Sequence, residues 1–428
     1  MCLTIPAKVI EIRDQKAIID KDGQKFEIDI RSLDLLNVGD WVLYMSDIAV
    51  QKVSADDAKE ILELLEHVQK TDPDKLNKRF IETVKASKKR KLKQEEIEYL
   101  LNINGPELEA LFSEAEMMRK TYIKDFFCIH GIIEFSNYCV NDCNYCGLCC
   151  ENTAIRRYRM TDNEIIEAVG NAADKGYKLF VLQSGEDPYY TKEKLVNLIG
   201  RIKEKHKVFV FISIGERDFD TYKALKDARA DGVLFRFETS NPQLFAKIHN
   251  SVLSTSSVPG THKSLKTRFE HLKFMKELGY FIASGSIVGL PGQTIADLAQ
   301  DIITIRDNEF DMVSMGPFVP CQNTPFAKEK PGSTDIMLKM IAILRLEMKD
   351  TRIPVVTAHE TLDPEKGRKK AIKAGANAMM FNITPEKYQP HYEIYKRKEA
   401  LDREMWEKYG LYNSEESYKM LEEKLRIG

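Results

Sequence analysis

Glu134–Met160 reads EFSNYCVNDCNYCGLCCENTAIRRYRM and holds five of the chain's eight cysteines between Cys139 and Cys150. Three of them, Cys139, Cys143 and Cys146, stand at C-x3-C-x2-C directly after an apolar run, FCIHGIIEFS (127–136), that reads as a buried strand. Three soft thiolates suit a [4Fe–4S] cluster, and three ligands for four irons leave one iron open to chelate another molecule. A structural zinc site is the alternative for thiols so spaced. Cys149 and Cys150 fall outside this spacing and read either as a pair of loop thiols or as a second metal or redox site. Cys128 and Cys321 read as small buried residues.

Seven further strand-like runs follow the first: KLFVLQSG (178–185), VFVFISIG (208–215), GVLFRFET (232–239), FIASGSIVGL (281–290), MVSMGPFVP (312–320), IPVVTAHE (353–360) and ANAMMFN (376–382). Helical patterns such as TDNEIIEAVGNAADKG lie between most of them. Eight strands alternating with helices predict a parallel (β/α)8 TIM-type barrel over 121–395, with a doubly wound open sheet as the alternative. In a barrel the carboxyl ends of the strands share one mouth, and polar residues gather at those ends here.

The rest of the chain divides into three parts. Residues 1–68 carry short β-branched runs broken by turn residues, then SADDAKEILELLEHV (54–68) with Ser54 as a helix cap. They predict a small closed or nearly closed β-barrel with a trailing helix. Residues 69–120 are charged and helical, and include KASKKRKLKQEE. A solvated helix face explains this run better than a nucleic-acid contact, because acidic residues flank it. Residues 396–428 predict a closing helical tail.

Hydrophobic residues make up 43 % of the 428, and the net charge of −2 argues against a nucleic-acid or acidic-lipid surface. No run approaches the roughly 18 apolar residues of a membrane span, and the start lacks a signal-peptide pattern. The expectation is a soluble cytoplasmic protein without nucleic-acid or membrane partners, in which clustered thiols bind metal rather than pair as disulfides.

The cysteine spacing at the end of the first strand resembles the radical SAM superfamily. That resemblance implies that the open iron binds the amino and carboxylate groups of S-adenosylmethionine (SAM), and that reduction cleaves SAM to a 5′-deoxyadenosyl radical. It also implies roles for Tyr145 beside the adenine, for Ser184, Gly185 and Glu186 at the methionine amino group, and for Arg236 at the carboxylate. Glu238 would hold a ribose hydroxyl, and Ser286 and Val288 in GSIVGLPG would contact the adenine. Longer stretches (GIIEFSNYC, RRYRMT, VLQSGEDPYY, FETSNPQLF, GLPGQT, GPFVP) are similar to the HydE family of [FeFe]-hydrogenase maturases over about 95–395. This likeness implies a small iron complex or sulfur-containing ligand as substrate, a reductant such as ferredoxin or flavodoxin, Arg268 on the SAM carboxylate, and Thr357, Tyr388 and Tyr392 around the substrate.

The chain departs from the HydE pattern at three places. Gly232 stands where the family carries a cavity-facing arginine. Val356 precedes Thr357 where the family has two threonines, and the family's C-terminal cysteine group is absent. The PylB-type methylornithine synthases resemble the same barrel and give the second enzymatic reading. A non-enzymatic iron-precursor chaperone is the third. MCLTIPAKVIEI and NVGDWVLYMSDIAVQKV resemble the HypC family of hydrogenase chaperones. That likeness implies a small OB-like β-barrel, iron handling at Cys2 and contact with hydrogenase maturation proteins, with Met45 standing where that family has a histidine.

Overall fold

The computed structural model describes residues 5–21, 24–33, 35–59, 61–62, 76–123, 127–249 and 263–395. Cys2, the end of the helix expected over 54–68 and the closing helix expected in the tail lie outside these residues. The chain forms two compact units, one of residues 1–78 with 104–110 and one of 79–103 with 111–428.

In the first unit five strands close a barrel in the order β1-β2-β3-β5-β4: β1 (Ile5–Arg13), β2 (Lys16–Lys21), β3 (Gln24–Asp29), β4 (Trp41–Met45) and β5 (Ile48–Val53). The pairing is antiparallel except where β3 meets β5 at Asp29 and Ile48. Alternate residues point inward, as the period of two requires. Ala7, Val9, Ala17, Ile19, Ile28, Val42 and Ala49 fill the interior, and alanines on three strands keep it narrow. A register shift at Val9/Glu11 bends β1, which helps so short a sheet to close.

The second unit carries β6 (Cys128–Ser136), β7 (Leu179–Ser184), β8 (Phe209–Ser213), β9 (Gly232–Leu234), β10 (Phe281–Ser284), β11 (Ile287–Val288), β12 (Met312–Val313), β13 (Gly316–Pro317), β14 (Pro354–Val355) and β15 (Ala378–Asn382). Eight of them form one parallel sheet in the order β12-β10-β9-β8-β7-β6-β15-β14. The order steps around a ring without the central reversal of a doubly wound sheet. A single bridge between Met312 and Arg352, with Val313 N–H donating to Arg352 O at 2.8 Å, brings the two edges together. The fold is therefore the expected (β/α)8 barrel, nearly closed. Helices cover the outside, so the strands are buried on both faces and read as continuous apolar runs. Cys128, Leu179, Val181, Phe211, Phe281, Ala283, Met312 and Ala378 pack inside the ring.

The crossover helices start where side chains satisfy their first N–H groups. Thr161 pairs with Glu164, and Thr294 with Asp297, as reciprocal capping boxes. Asn241 caps a helix that opens on Pro242.

The charged stretch before the barrel has partners within its unit. Lys88 pairs with Glu114, Arg90 with Glu96, and Lys91 with Asp307. Buried Glu347 accepts from Leu92 N–H at 3.1 Å and from Arg306 Nη1 at 2.6 Å, while Arg306 Nη1 also donates to Leu92 O at 2.8 Å. This ties the segment before helix Gln94–Asn102 to helices Ile295–Asp307 and Thr334–Glu347. Glu347→Ala would leave the Leu92 N–H unpaired and take one charge-assisted bond from Arg306, which keeps Asp307 and the Leu92 carbonyl, at a cost of about 1–3 kcal/mol. A lowered chemical-unfolding midpoint and faster proton exchange at Leu92 are the expected readouts. An unchanged midpoint would show that the segment is held otherwise.

Candidate functional site

The site begins where β6 and β7 end. Their register shifts between Glu134 and Ser136, so that Ser136 pairs with Ser184 and both chains then turn across the barrel mouth. Gly185 N–H donates to Ser136 O at 3.2 Å, and Val140 N–H to Glu186 O at 3.1 Å. A Cβ on Gly185 would strike the Tyr138 carbonyl oxygen and come within 2.7 Å of Cys139 Cβ. Only glycine allows the two backbones this close.

Cys139, Cys143 and Cys146 lie together in the loop. Burial pushes the Cys143 thiol up to about 12; Lys263 opposes this, and the neighbouring Cys139 and Glu186 add to it. Burial, then Cys143 and Cys139, also push Cys146 well above the ordinary thiol range. As thiolates these three half-buried groups repel one another, a cost that a cationic metal centre among them removes. This donor set fits an iron–sulfur cluster. Asn141 Nδ2 donates to Cys139 Sγ at 3.6 Å.

The loop is held by Arg157, whose guanidinium donates to the carbonyls of Asn137, Leu148, Cys149 and Asn152 at 2.5–3.1 Å. Cys149 is buried at its end and Cys150 is exposed. The sequence signals neither this role for Arg157 nor its difference from the exposed Arg156, because the target carbonyls belong to an irregular loop.

A cavity of about 300 Å³ opens beside the cysteines. Cys139, Tyr145, Cys146, Ser184, Gly185, Arg236, Glu238, Arg268, Thr357 and Tyr392 line it. On its wall Arg236 pairs with Glu238 at 2.8 Å and Arg268 with Glu216 at 3.0 Å. Behind the wall the buried Lys263 ammonium pairs with Glu186 at 2.5 Å. Burial alone would raise the Glu186 carboxyl, but Lys263 and the Glu216 N–H more than offset this and hold it below the usual carboxylate range. Three carboxylates thus face three cations, with Glu186, Glu216, Lys263 and Arg268 buried and Arg236 and Glu238 half-buried. Arg236 Nε and Arg268 Nε are buried there without a hydrogen-bond partner. Such unmet donors beside a cavity suit a zwitterionic, hydroxylated ligand.

Tyr145 packs on Leu244, Ile248, Ile287, Leu290, Phe318 and Phe326, an apolar wall suited to a flat base. Burial raises its hydroxyl pKa well above the ordinary value, with Glu238 and the cluster cysteines adding to the effect.

Some expected residues lie elsewhere. Tyr388 does not line the cavity: its hydroxyl donates to Glu164 at 2.8 Å and its ring stacks on Tyr158. The aromatic wall comes instead from Tyr392 and Tyr395, beyond the short 3-10 turn Gln389–His391. Val288 and Ser286 are fully buried, and Ile287 between them supplies the cavity face. Glu186 lies behind the wall rather than on it. Thr357 lines the cavity from the first turn of a helix, Thr357–Leu362, because the strand expected over 353–360 stops at Val355.

The far end of the cavity was not anticipated. Glu134, Gln183, Ser213 and Asn382 line it, and Asn382 Nδ2 donates to Glu134 Oε2 at 2.9 Å. Period-two alternation puts Ile132 and Glu134 on the same inner face of β6. At Gly232 a Cβ would come within 2.7 Å of the Phe211 ring, so an aromatic fills the floor where an arginine was the family expectation.

Comparison with known proteins adds three matches along the chain. Residues 1–65 match the HupF/HypC family, 133–304 the Radical SAM superfamily, and 314–412 the Biotin and Thiamin Synthesis associated domain. The [FeFe] hydrogenase maturase subunit HydE of Thermotoga maritima is 42 % identical over 318 residues, covering 74 % of this chain and 88 % of that one. The 3-methylornithine synthase of Methanosarcina acetivorans is 30 % identical, covering 72 % and 82 %. Among solved structures, methylornithine synthase (PylB) superposes with a TM-score of 0.69 at 26 % identity, covering 79 % of this chain and 99 % of that one. HydG, a maturase of the [FeFe]-hydrogenase, shares the fold with a TM-score of 0.66 at 19 % identity over 83 % and 81 %.

Arg157→Met removes charge-assisted hydrogen bonds worth about 1.5–3 kcal/mol each. The variant is expected to lose iron and sulfide from the reconstituted protein faster than the wild type on chelator challenge, with an unchanged far-ultraviolet circular dichroism spectrum. Equal rates of loss would show that the loop does not depend on this guanidinium.

Proposed function

The chain belongs to the radical SAM superfamily and, within it, to the family of the [FeFe]-hydrogenase maturase HydE, and on that premise we propose that it is a radical SAM enzyme of hydrogenase metallocofactor maturation. One observation carries the reading. The loop after β6, the segment after β9 and helix Leu265–Glu277 bring Cys139, Cys146, Arg236 and Arg268 to one cavity, with Cys143 in the same loop and the Glu186 carboxylate after β7 just behind the wall.

When bound, a [4Fe–4S] cluster supplies the electron that cleaves SAM to methionine and a 5′-deoxyadenosyl radical. Cys139, Cys143 and Cys146 hold the cluster. Ser184 and Gly185 would face the SAM ammonium with the Glu186 charge behind them favouring it, and Arg236 and Arg268 would donate to the SAM carboxylate. Glu238 takes a ribose hydroxyl, and Tyr145, Ile287 and Phe318 flank the adenine. Lys263 keeps Glu186 ionised in a buried setting.

Past this region, Glu134, Gln183, Ser213, Thr357, Asn382, Tyr392 and Tyr395 offer a carboxylate, two amides and hydroxyls to the substrate. This set suits a small iron complex or sulfur-containing ligand that presents hydrogen-bond donors. The 30 % identity to 3-methylornithine synthase supports a second reading, an amino-acid mutase.

The electron donor is a small reductant such as ferredoxin or flavodoxin. Among the described residues no helix is long and apolar enough to cross a membrane, and a cytoplasmic setting suits oxygen-sensitive thiolate chemistry. The small barrel serves contact with hydrogenase maturation proteins. Met45, partly exposed at the end of β4 and paired with Ile48, stands ready beside that role. A thioether is a poorer ligand than imidazole for such iron, so Cys2 carries any iron binding there.

The anaerobically reconstituted protein, given SAM and dithionite, is expected to release 5′-deoxyadenosine, and Cys143→Ala to abolish the release. A triple Ala variant at Cys139, Cys143 and Cys146 that still releases it would refute the cluster assignment. Conversion of added lysine to 3-methylornithine would establish the second reading in place of the first. Cys2→Ser is expected to leave 5′-deoxyadenosine release unchanged while lowering iron retained by the apo-cluster full-length protein, and Met45→His to raise that iron. No change in iron with either variant would make the small barrel a docking module alone.

A further inference from the structure

Glu238 is held in an unusual backbone conformation. Its φ is +65°, a left-handed value that a residue with a side chain adopts at a cost of about 1–3 kcal/mol. Two backbone bonds hold it there: Glu238 N–H donates to Gly285 O at 3.1 Å and Ile287 N–H donates to Glu238 O at 2.8 Å. They couple the segment after β9 to the segment between β10 and β11, the two stretches that face the ribose and the adenine in the reading above. The second segment runs on into β11, which pairs in parallel with β13, whereas the first has only the single bridge between Glu238 and Ser286. One carboxylate behind them reaches both.

Asp301 is fully buried on helix Ile295–Asp307. Its Oδ1 accepts from Ser240 N–H at 2.6 Å and from Ser240 Oγ at 2.5 Å, two residues beyond Glu238. Its Oδ2 accepts from Gln293 Nε2 at 3.2 Å. The same Gln293 amide donates to Ile287 O at 3.1 Å, and its oxygen accepts from Gly289 N–H at 2.7 Å and Leu290 N–H at 3.1 Å. One turn earlier on the helix, Asp297 accepts from Asn241 Nδ2 at 2.8 Å. Both segments are therefore pinned to the same face of one helix.

We propose that Asp301 is a positioning residue for the nucleoside end of SAM, fixing Glu238 through Ser240 and the Ile287–Leu290 backbone through Gln293. The inference rests on the SAM reading of the cavity. Asp301 itself does not line the cavity, so it acts only through these partners. Its environment sets a tension that a purely structural brace avoids. Burial pushes its carboxyl up to about 7, against the Ser240 bonds and the Ser286 hydroxyl, which is close enough to favour the carboxylate without hydrogen-bonding geometry; the Asp297 charge adds to the rise. A buried carboxylate that costs this much is retained here where three donors converge on it.

The test separates the two ends of SAM. Equilibrium dialysis of the cluster-loaded protein is carried out with SAM, with 5′-deoxyadenosine and with methionine. Asp301→Asn keeps the shape but cannot accept on both atoms. It is expected to weaken 5′-deoxyadenosine and SAM binding about ten-fold and leave methionine binding unchanged, the loss expected of one weakened charge-assisted bond. Ser240→Ala, which keeps the N–H bond, is expected to lose less in the same direction, and it decides the matter if Asp301→Asn does not fold. Unchanged 5′-deoxyadenosine affinity, or equal losses for nucleoside and methionine, would overturn the role of Asp301 while leaving the SAM reading intact. A wild type that binds neither SAM nor 5′-deoxyadenosine would overturn that reading and this inference together.

Discussion

The site depends on the close approach of the chain at Gly185 to the chain at Tyr138 and Cys139. A parallel ladder carries β6 and β7 side by side to the mouth, and the register shift at Glu134/Ser136 turns the cysteine loop over the end of β7. The cluster ligands and the Glu186 carboxylate then lie within one network because no side chain separates the two backbones. The rest of the site adds to that contact. Arg157 ties the far side of the loop, Lys263 balances the charge of Glu186, and the Glu216 backbone N–H donates to it. The strained Glu238 closes the nucleoside side, with Asp301 behind it.

The buried ionic network explains why this mouth suits a zwitterion. Charged groups leave water only at a cost of several kcal/mol each in real proteins. Here the cations and carboxylates repay part of that cost among themselves, and several nitrogens remain without partners. A ligand with an ammonium, a carboxylate and ribose hydroxyls supplies what is missing. The apolar side, from Tyr145 to Phe326, supplies the complementary wall for a base. The opposite end of the cavity is polar and among the described residues has no cation on its lining, which in the proposed function would divide a SAM-binding part from a substrate-binding part.

Much of the architecture was legible in the sequence, for a physical reason. Strands buried on both faces must be apolar throughout, so all eight barrel strands announced themselves as runs, and the cysteine spacing marked where the first one ends. Their lengths were less legible. The run FIASGSIVGL is two short strands, and VVTAHE turns helical at Thr357, because apolar residues line the mouth loops as well as the ladder. Side-chain direction was the weakest point. Tyr388 and Tyr395 are indistinguishable by composition, and only the turn at Gln389–His391 decides which faces inward. Ile287 rather than Val288 lines the wall because a strand shows its neighbours opposite faces. Lys263, Arg157 and Asp301 had no signal at all, since each acts on partners distant in sequence or on irregular backbone.

The central claim is that one open-iron cluster and this charge network bind SAM together. Pulsed electron–nuclear double resonance on the reduced, cluster-loaded protein tests it most directly, using SAM labelled with ¹⁵N at the amino group and ¹⁷O at the carboxylate. The account predicts hyperfine coupling from both labels to the cluster, and loss of the ¹⁷O coupling in a variant that lacks both Arg236 and Arg268. A cluster signal that SAM does not perturb would contradict it.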